Sequence, residues 1–346
     1  MHYHFLGDTD IKVSQICLGT MTWGNQNSQS EAFEQLDYAL DQGINFVDTA
    51  ELYAIPPELS TYGATETIIG NWIKKSGRRS EIILASKVCG PTAWCPHIRK
   101  GEAKLDHKNI FSAVDGSLER LQTDYLDLYQ VHWPERGTNY FGKLGYEESS
   151  YDHATPIEET LNSLGELVRQ GKVRHIGISN ETPWGAMQYL NASREQLLPR
   201  IVSIQNPYSL LNRTFEIGLA EISHREKVGL LAYSPLGFGT LSGKYLGGTH
   251  PEKGRITLFP HYQRYSTEQG IKATKAYVAL AREHGIDPAQ MALSFIHSRP
   301  FVTSTIIGAT TMEQLRCNIA SMEIDLSEQV SDAINDIHRK LPNPCP

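Results

Sequence analysis

The sequence predicts an α/β fold, a (β/α)8 TIM barrel with an N-terminal β-hairpin and long loops on the C-terminal face. Eight short apolar runs recur along the chain, with amphipathic helical patterns between most of them. Runs that are apolar on both faces suit parallel strands covered by helices on the outside. The 346 residues contain no linker and no solenoid repeat, so we expect one domain that spans residues 1–346.

The predicted elements begin with a hairpin, in which residues 3–5 and 11–13 flank a turn at residues 7–10. The apolar runs that predict the barrel strands are residues 15–18, 45–47, 82–85, 126–131, 175–178, 201–204, 229–232 and 304–307. Helical patterns include residues 30–42, 108–121, 157–171 and 214–227. Gly171 stands just past the last periodic residue of its helix, as a C-terminal glycine should.

An open, doubly wound sheet is the main alternative to the barrel. In its dinucleotide-binding form, that fold carries a Gly-x-Gly-x-x-Gly turn after the first strand. Here the first strand ends in Leu-Gly-Thr-Met-Thr-Trp-Gly at residues 18–24, which lacks this spacing. Long loops at residues 54–62, 89–106 and 134–156 follow predicted strands, and barrel active sites form on such loops. The residues after Leu341 are predicted to be extended or disordered.

Composition and charge exclude several classes of function. A net charge of −7 without basic runs argues against binding to nucleic acid or to an anionic membrane. The five cysteines are scattered, which indicates a reducing compartment, and the chain begins without a signal-peptide pattern, so we expect a cytoplasmic protein. The 13 histidines lack the spacing of a helical metal site, and we predict no metal. Monomers and homo-oligomers are both compatible with the sequence.

Polar side chains follow the predicted strands, where they would point into the mouth of a barrel. Asp48 and Lys87 end two neighbouring strands, and a structural salt bridge and a functional pair are equally compatible with these two residues. His132 ends the fourth strand. Tyr53 lies a few residues beyond Asp48, and an ammonium beside a phenol lowers the phenol's pKa. Tyr53 beside Lys87 would therefore be an acid–base group.

Seven segments, in this order, resemble the aldo-keto reductase superfamily, and the resemblance runs from Leu6 to about Leu326. They are residues 45–53, 86–87, 131–132, 177–180, 205–208, 233–236 and 307–310. The resemblance implies NADP(H)-dependent reduction of a small-molecule aldehyde or ketone to an alcohol by hydride transfer. It assigns the general acid to Tyr53 and the lowering of its pKa to Lys87. It also implies that Asp48 holds Lys87 and that His132 orients and polarises the substrate carbonyl.

The resemblance also assigns the cofactor contacts. The nicotinamide would meet Ser179, Asn180 and Gln205, and Tyr233 would stack on its ring. The segment 234–244 would follow the pyrophosphate, where glycines let backbone N–H groups approach the phosphates. The predicted cofactor-binding residues are Gly19, Thr20, Met21, Ser179, Asn180, Gln205, Tyr233, Ser234, Pro235, Leu236, Gly237, Gly239, Leu241, Gly243, Lys244, Gly308, Ala309, Thr310, Gln314 and Asn318. Of these, the segment from Gly308 onward would meet the adenosine, and a helix N-terminus there would favour its 2′-phosphate.

Two departures from the family pattern leave alternatives open. Relatives usually have Tyr-Gly where this chain has Tyr53-Ala54, and Tyr62, which is followed by glycine, is the alternative general acid. Relatives often have lysine where this chain has Gly308, and Arg316 is a nearby cation. The expected preference for NADP over NAD therefore rests on what is usual in the family. The substrate pocket is predicted to contain Trp23, Trp133 and Tyr140, together with the loops 89–106 and 134–156.

Other functions of a barrel are weighed against this one. A lyase or aldolase with a Schiff base on Lys87 would need a lysine free of ion pairing. A regulatory protein would keep the barrel and the cofactor without turnover, and the presence of all four central residues favours the enzyme instead. The physiological substrate is not predicted by the sequence.

Overall fold

The computed structural model describes residues 1–148 and 153–346. The strands in these ranges are β1 (Tyr3–Phe5), β2 (Lys12–Ser14), β3 (Ile16–Gly19), β4 (Phe46–Asp48), β5 (Ile83–Val88), β6 (Leu126–Val131), β7 (Val173–Ser179), β8 (Ile201–Pro207), β9 (Gly229–Tyr233) and β10 (Val302–Ile307). Strands β3 to β10 form a closed barrel in which neighbours in chain order are parallel, and β10 pairs with β3. The predicted barrel is confirmed, and each predicted run overlaps one barrel strand.

Helices cover the outside of the barrel. Within the described ranges they are α1 (Gln29–Asp41), α2 (Ala64–Ser76), α3 (His107–Leu121), α4 (Ile157–Arg169), α5 (Pro183–Gln196), α6 (Leu219–Glu226), α7 (Arg255–Leu258), α8 (Glu268–Glu283), α9 (Pro288–His297), α10 (Met312–Ala320) and α11 (Glu328–Lys340). Local signals set their ends: Ser28 and Glu31 form a capping box on α1, and Gly77 ends α2 at φ 70°. None of these helices is long and apolar enough to cross a bilayer.

The predicted N-terminal hairpin is confirmed, since β1 and β2 form a separate antiparallel pair. Its buried residues Leu6 and Val13 pack against Phe46, Leu128 and Leu231 of the barrel strands in one apolar cluster. The turn lies close to β8, because a Cβ on Gly7 would come within 2.6 Å of Val202 O. The hairpin therefore covers one end of the barrel and leaves the C-terminal ends of the strands for the long loops.

The helix predicted at residues 214–227 begins later than expected. A 3₁₀ turn covers Thr214–Glu216, and α6 starts only after Gly218, whose φ of 98° interrupts the helix. The loops predicted at residues 54–62 and 89–106 contain no α-helix and no strand. The third, 134–156, includes residues 149–152, which lie outside the described ranges.

The residues after Leu341 lack helix and strand, as predicted, but they pack against the barrel. Cys345 is buried, and its backbone N–H donates to Leu211 O at 3.0 Å. Arg264 Nε donates to Pro346 O at 3.1 Å. These contacts bring the C-terminal residues to the same face as the long loops.

Candidate active site

Asp48 and Lys87 form a buried ion pair at the C-terminal ends of two neighbouring strands. Lys87 Nζ donates to Asp48 Oδ2 at 2.5 Å and to Thr49 O at 2.8 Å. Burial lowers the pKa of Lys87, but Asp48 and Tyr53 outweigh burial and hold that pKa above its ordinary value. Lys87 is therefore an ammonium fixed by an ion pair, which argues against its use as a Schiff-base amine.

The structure brings Tyr53 to Lys87, whereas Tyr62 points elsewhere. Tyr53 Oη lies 3.4 Å from Lys87 Nζ. The hydroxyl of Tyr62 lies 3.5 Å from Glu51 Oε2, and burial raises the pKa of Tyr62 to about 12. Burial also raises the pKa of Tyr53 by more than Lys87 lowers it, so the expected downward direction is corrected. The phenol of Tyr53 is consequently protonated at neutral pH, the form that can donate a proton.

His132 follows β6 directly and is also buried. Its Nδ1 has no hydrogen-bond partner among the described residues. Burial, and then the charge of Lys87, lower the pKa of His132 well below its usual range. His132 is therefore a neutral imidazole, which can hydrogen-bond an uncharged oxygen without adding a charge to the site.

A network of side-chain amides extends across the barrel from this ion pair. Asp48 Oδ1 accepts hydrogen bonds from Gln205 Nε2 at 2.8 Å and from Gln130 Nε2 at 3.2 Å. Tyr233 Oη donates to Asn180 Oδ1 at 2.6 Å. The predicted nicotinamide contacts thus lie beside the predicted acid–base residues. Gln130 was not predicted, because its position in the middle of an apolar run gave no signal of a polar role.

A cavity of about 1510 Å³ opens above these residues. The predicted site residues that line it are Gly19, Thr20, Met21, Asp48, Tyr53, His132, Trp133, Ser179, Asn180, Gln205, Tyr233, Ser234, Pro235, Leu236, Gly239, Lys244, Gly308, Ala309, Thr310, Gln314 and Asn318. Lys87 lies beneath this surface and reaches the cavity through Tyr53. One continuous space therefore joins the predicted acid–base residues to the segment predicted for the adenosine.

Trp23, Gly237, Leu241 and Gly243 were also predicted for the site, but they do not line the cavity. Trp23 is fully buried, and its Nε1 donates to Gln35 Oε1 at 3.0 Å under α1. Leu241 is buried in the core, and Gly237 and Gly243 face neighbouring side chains. Gly237 and Gly243 are instead suited to the backbone conformation at these positions, because their φ angles are positive, 53° and 81°.

The segment after β9 places cations over the cavity. A Cβ on Gly239 would lie 2.8 Å from Lys244 Nζ, so the lysine side chain crosses this glycine. Arg255, at the start of α7, lines the same cavity. Burial lowers the pKa of both cations, and neither forms a salt bridge with a carboxylate in the described part of the chain. Two unpaired cations beside a glycine-rich loop suit a phosphate-bearing ligand.

Comparison with known proteins agrees with this geometry. The profile of the aldo/keto reductase family matches residues 15–339. The chain belongs to the aldo/keto reductase family. It is 55% identical to Protein tas of Escherichia coli (strain K12) over 346 residues, all of both chains. It is 34% identical to the uncharacterized oxidoreductase YrpG of Bacillus subtilis (strain 168), covering 97% of this chain and 96% of that one. It is 37% identical to an aldo-keto reductase of Babesia bovis over 77% of this chain and 98% of that one.

As an aldo/keto reductase, the protein is an oxidoreductase, and its cavity has an aromatic mouth. Trp133 is buried, and its ring lies 5.8 Å from that of Trp94 and 5.7 Å from that of Phe141. Trp94 and Phe141 line the cavity and are exposed, whereas Tyr140 packs against Phe141 and does not line it. The two loops predicted to form the pocket therefore contribute through Trp94 and Phe141.

The other end of this aldo/keto reductase cavity has a glycine at position 308. Gly308 has open space where a side chain would begin. Arg316 lies over the ring of Tyr38, at 5.4 Å, and is not among the lining residues. Glu313 lines the cavity here. The cations that line this cavity are Lys244, Lys253, Arg255 and Arg264, and of these only Lys244 was predicted from the sequence.

Proposed function

We propose that this aldo/keto reductase reduces aldehydes or ketones to alcohols with NADPH, and that Tyr53 is the general acid. The observation that carries the proposal is the 3.4 Å separation of Tyr53 Oη from Lys87 Nζ at the wall of the large cavity. A protonated phenol and a neutral imidazole face the same space, and both suit an uncharged carbonyl oxygen.

The reduced nicotinamide, when bound, supplies the hydride that reaches the carbonyl carbon. Tyr53 donates its Oη proton to the carbonyl oxygen, which becomes the hydroxyl of the alcohol. Lys87 remains protonated, and its charge stabilises the phenolate that Tyr53 leaves behind. Asp48 holds Lys87 in place, and His132 positions the carbonyl oxygen through a hydrogen bond. A proton from solvent then restores the phenol.

The residues present fit a dinucleotide. Asn180 and Gln205 offer amide groups beside Tyr53, and the ring of Tyr233, anchored through its hydroxyl to Asn180, offers a flat face. Lys244 and Arg255 would hold the pyrophosphate, since they are partly buried cations without carboxylate partners among the described residues. The N-terminus of α10 begins beside the adenosine segment, which favours an anionic group there.

Oxidation of NADPH, measured with a panel of aldehydes and ketones and repeated with NADH, tests this function. We expect turnover with NADPH and a lower kcat/KM with NADH. Tyr53→Phe should bind NADPH as the wild type does and reduce carbonyl compounds far more slowly. If neither cofactor is oxidised with any aldehyde, the proposed function is wrong.

A further inference from the structure

Glu51 is a fully buried carboxylate that is not one of the proposed acid–base residues, but it forms hydrogen bonds with the strand that carries Lys87. It stands two residues before Tyr53, and its Oε1 accepts a hydrogen bond from the backbone N–H of Cys89 at 2.6 Å. Cys89 in turn stands two residues after Lys87. The backbone N–H of Glu51 also lies 3.3 Å from Lys87 O. One side chain and its own backbone therefore join the segment that carries Tyr53 to the strand that carries Lys87.

A single arginine neutralises Glu51. Arg99 donates two parallel hydrogen bonds, from Nη1 to Oε2 at 2.7 Å and from Nη2 to Oε1 at 2.8 Å. Arg99 belongs to the long loop 89–106, and the neighbouring residues Ile98 and Cys95 are buried in one apolar cluster with Leu52. Such a fork has a fixed geometry and resists rotation of the carboxylate. Because Arg99 is mostly buried too, the pair is shielded from water.

From these contacts we infer that Glu51, held by Arg99, is a positioning residue that sets the separation of Tyr53 Oη from Lys87 Nζ. The inference rests on the proposed function, since it concerns the same acid–base pair. The segment after β4 has no regular secondary structure to hold Tyr53, which lies five residues beyond the end of the strand. The position of Tyr53 therefore depends on local hydrogen bonds such as those of Glu51. A displacement of 1 Å in a reacting group can lower the rate about 100-fold.

A second buried carboxylate in the same region provides a matched control. Glu66, on α2, is also fully buried and is paired with Arg120, whose Nε donates to Oε2 at 2.8 Å. Its other oxygen accepts from Ser86 Oγ, and in the described part of the chain it accepts no hydrogen bond from the backbone of Lys87 or Cys89. Loss of its charge should weaken the fold as much as the same change at Glu51, because each leaves a buried arginine without its partner.

The test compares Glu51→Gln with Glu66→Gln in the full chain. We expect Glu51→Gln to lower kcat by about 10-fold to 100-fold while the Kd for NADPH, measured by fluorescence, is unchanged. Glu66→Gln should lose similar stability and keep the wild-type kcat. Arg99→Lys should restore part of the kcat that Arg99→Met loses. The double variant Glu51→Gln/Arg99→Met should be no slower than the slower single variant, since the two residues act as one unit.

Ultraviolet titration of Tyr53, taken as the difference between each protein and its Tyr53→Phe derivative, gives a readout that needs no turnover. A phenol that moves away from Lys87 loses a stabilising charge, so its pKa should rise in Glu51→Gln and not in Glu66→Gln. Unchanged kcat and unchanged titration in Glu51→Gln overturn the inference. If Glu51→Gln does not fold, the kcat and the Tyr53 titration of Arg99→Met test the inference instead, since Arg99 is less buried than Glu51. A wild-type protein without reductase activity refutes the proposed function, while the titration still tests the positioning.

Discussion

The imidazole of His132 and the phenol of Tyr53 meet edge to face, with ring centroids 5.8 Å apart and planes inclined at 77°. This arrangement packs the two rings against each other and leaves their polar atoms free to converge on one substrate oxygen. It also means that the ring of Tyr53 has a packing role apart from its hydroxyl. Phenylalanine at position 53 keeps that packing and removes only the proton donor, which makes it the informative substitution.

Tyr53→Phe should reduce kcat by about 100-fold to 10,000-fold, the usual contribution of a general acid. The Kd for NADPH should stay at the wild-type value, because the predicted cofactor contacts lie on other elements. Steady-state kinetics and fluorescence titration measure the two quantities. Tyr62→Phe is the variant for comparison, since Tyr62 is the alternative general acid and its hydroxyl lies beside Glu51 and not beside Lys87. Loss of activity in Tyr62→Phe, with Tyr53→Phe active, would reverse the assignment.

Reduction should be insensitive to pH from 6 to 8 and decline only on the alkaline side. Tyr53 must be protonated to donate, and burial raises its pKa above the ordinary value of about 10. The active form is therefore complete below that pKa and is lost as the pH rises through it. His132, with its pKa well below the usual range, stays neutral throughout this interval. A profile of kcat against pH checks both statements, and a decline centred near pH 7 would contradict them.

Lys87→Met should lower both activity and stability. The change leaves the Asp48 carboxylate buried without its cation, which costs about 3–5 kcal/mol in the free energy of unfolding. Urea denaturation measures this loss. In the double variant Asp48→Asn/Lys87→Met, no buried charge remains and much of the stability should return, although reduction should not. A single variant as stable as the wild type would mean that the pair is poorly shielded from water.

Lys244→Met should weaken NADPH binding by about 10-fold or more, because one charge-assisted hydrogen bond to a phosphate is worth about 1.5–3 kcal/mol. NADH should lose the same factor, since the pyrophosphate is common to both cofactors. Lys275→Met, on the exposed surface of α8, is the control and should change neither Kd. A loss confined to NADPH would place Lys244 at the 2′-phosphate instead.

Gly308→Lys should tighten NADPH binding about 10-fold and leave NADH binding unchanged. No atom lies within 4 Å of a Cβ at this position, so a side chain can begin here without a clash at its first carbon. Its ammonium would meet the 2′-phosphate at the segment that now has Glu313 as a lining charge. Fluorescence titrations with both cofactors measure the effect. An equal gain for NADPH and NADH would show that the added charge acts on the pyrophosphate.

The strands and the polar residues at their ends could be predicted because apolar runs and strand-end positions are local signals. Trp23 shows the limit of this reasoning: its place after the first strand suggested the pocket, yet Gln35 offers a buried hydrogen-bond acceptor on the other side. Arg255 could not be predicted, because only the folded segment after β9 brings it over the cavity. The direction of the Tyr53 pKa likewise depends on burial, which a sequence does not report.

The pairing of β10 with β3 has a consequence for how the protein folds. Thr305 lies opposite Ile16, so barrel closure joins residues that are far apart in the chain. Contacts of such long range slow folding, because the entropy of a large loop must be lost before the contact forms. During synthesis, β3 cannot pair with β10 until β10 has been made, so one edge of β3 stays without a partner strand until then. The large cavity, which is lined by both Gly19 and Gly308, is consequently among the last parts of the molecule to form.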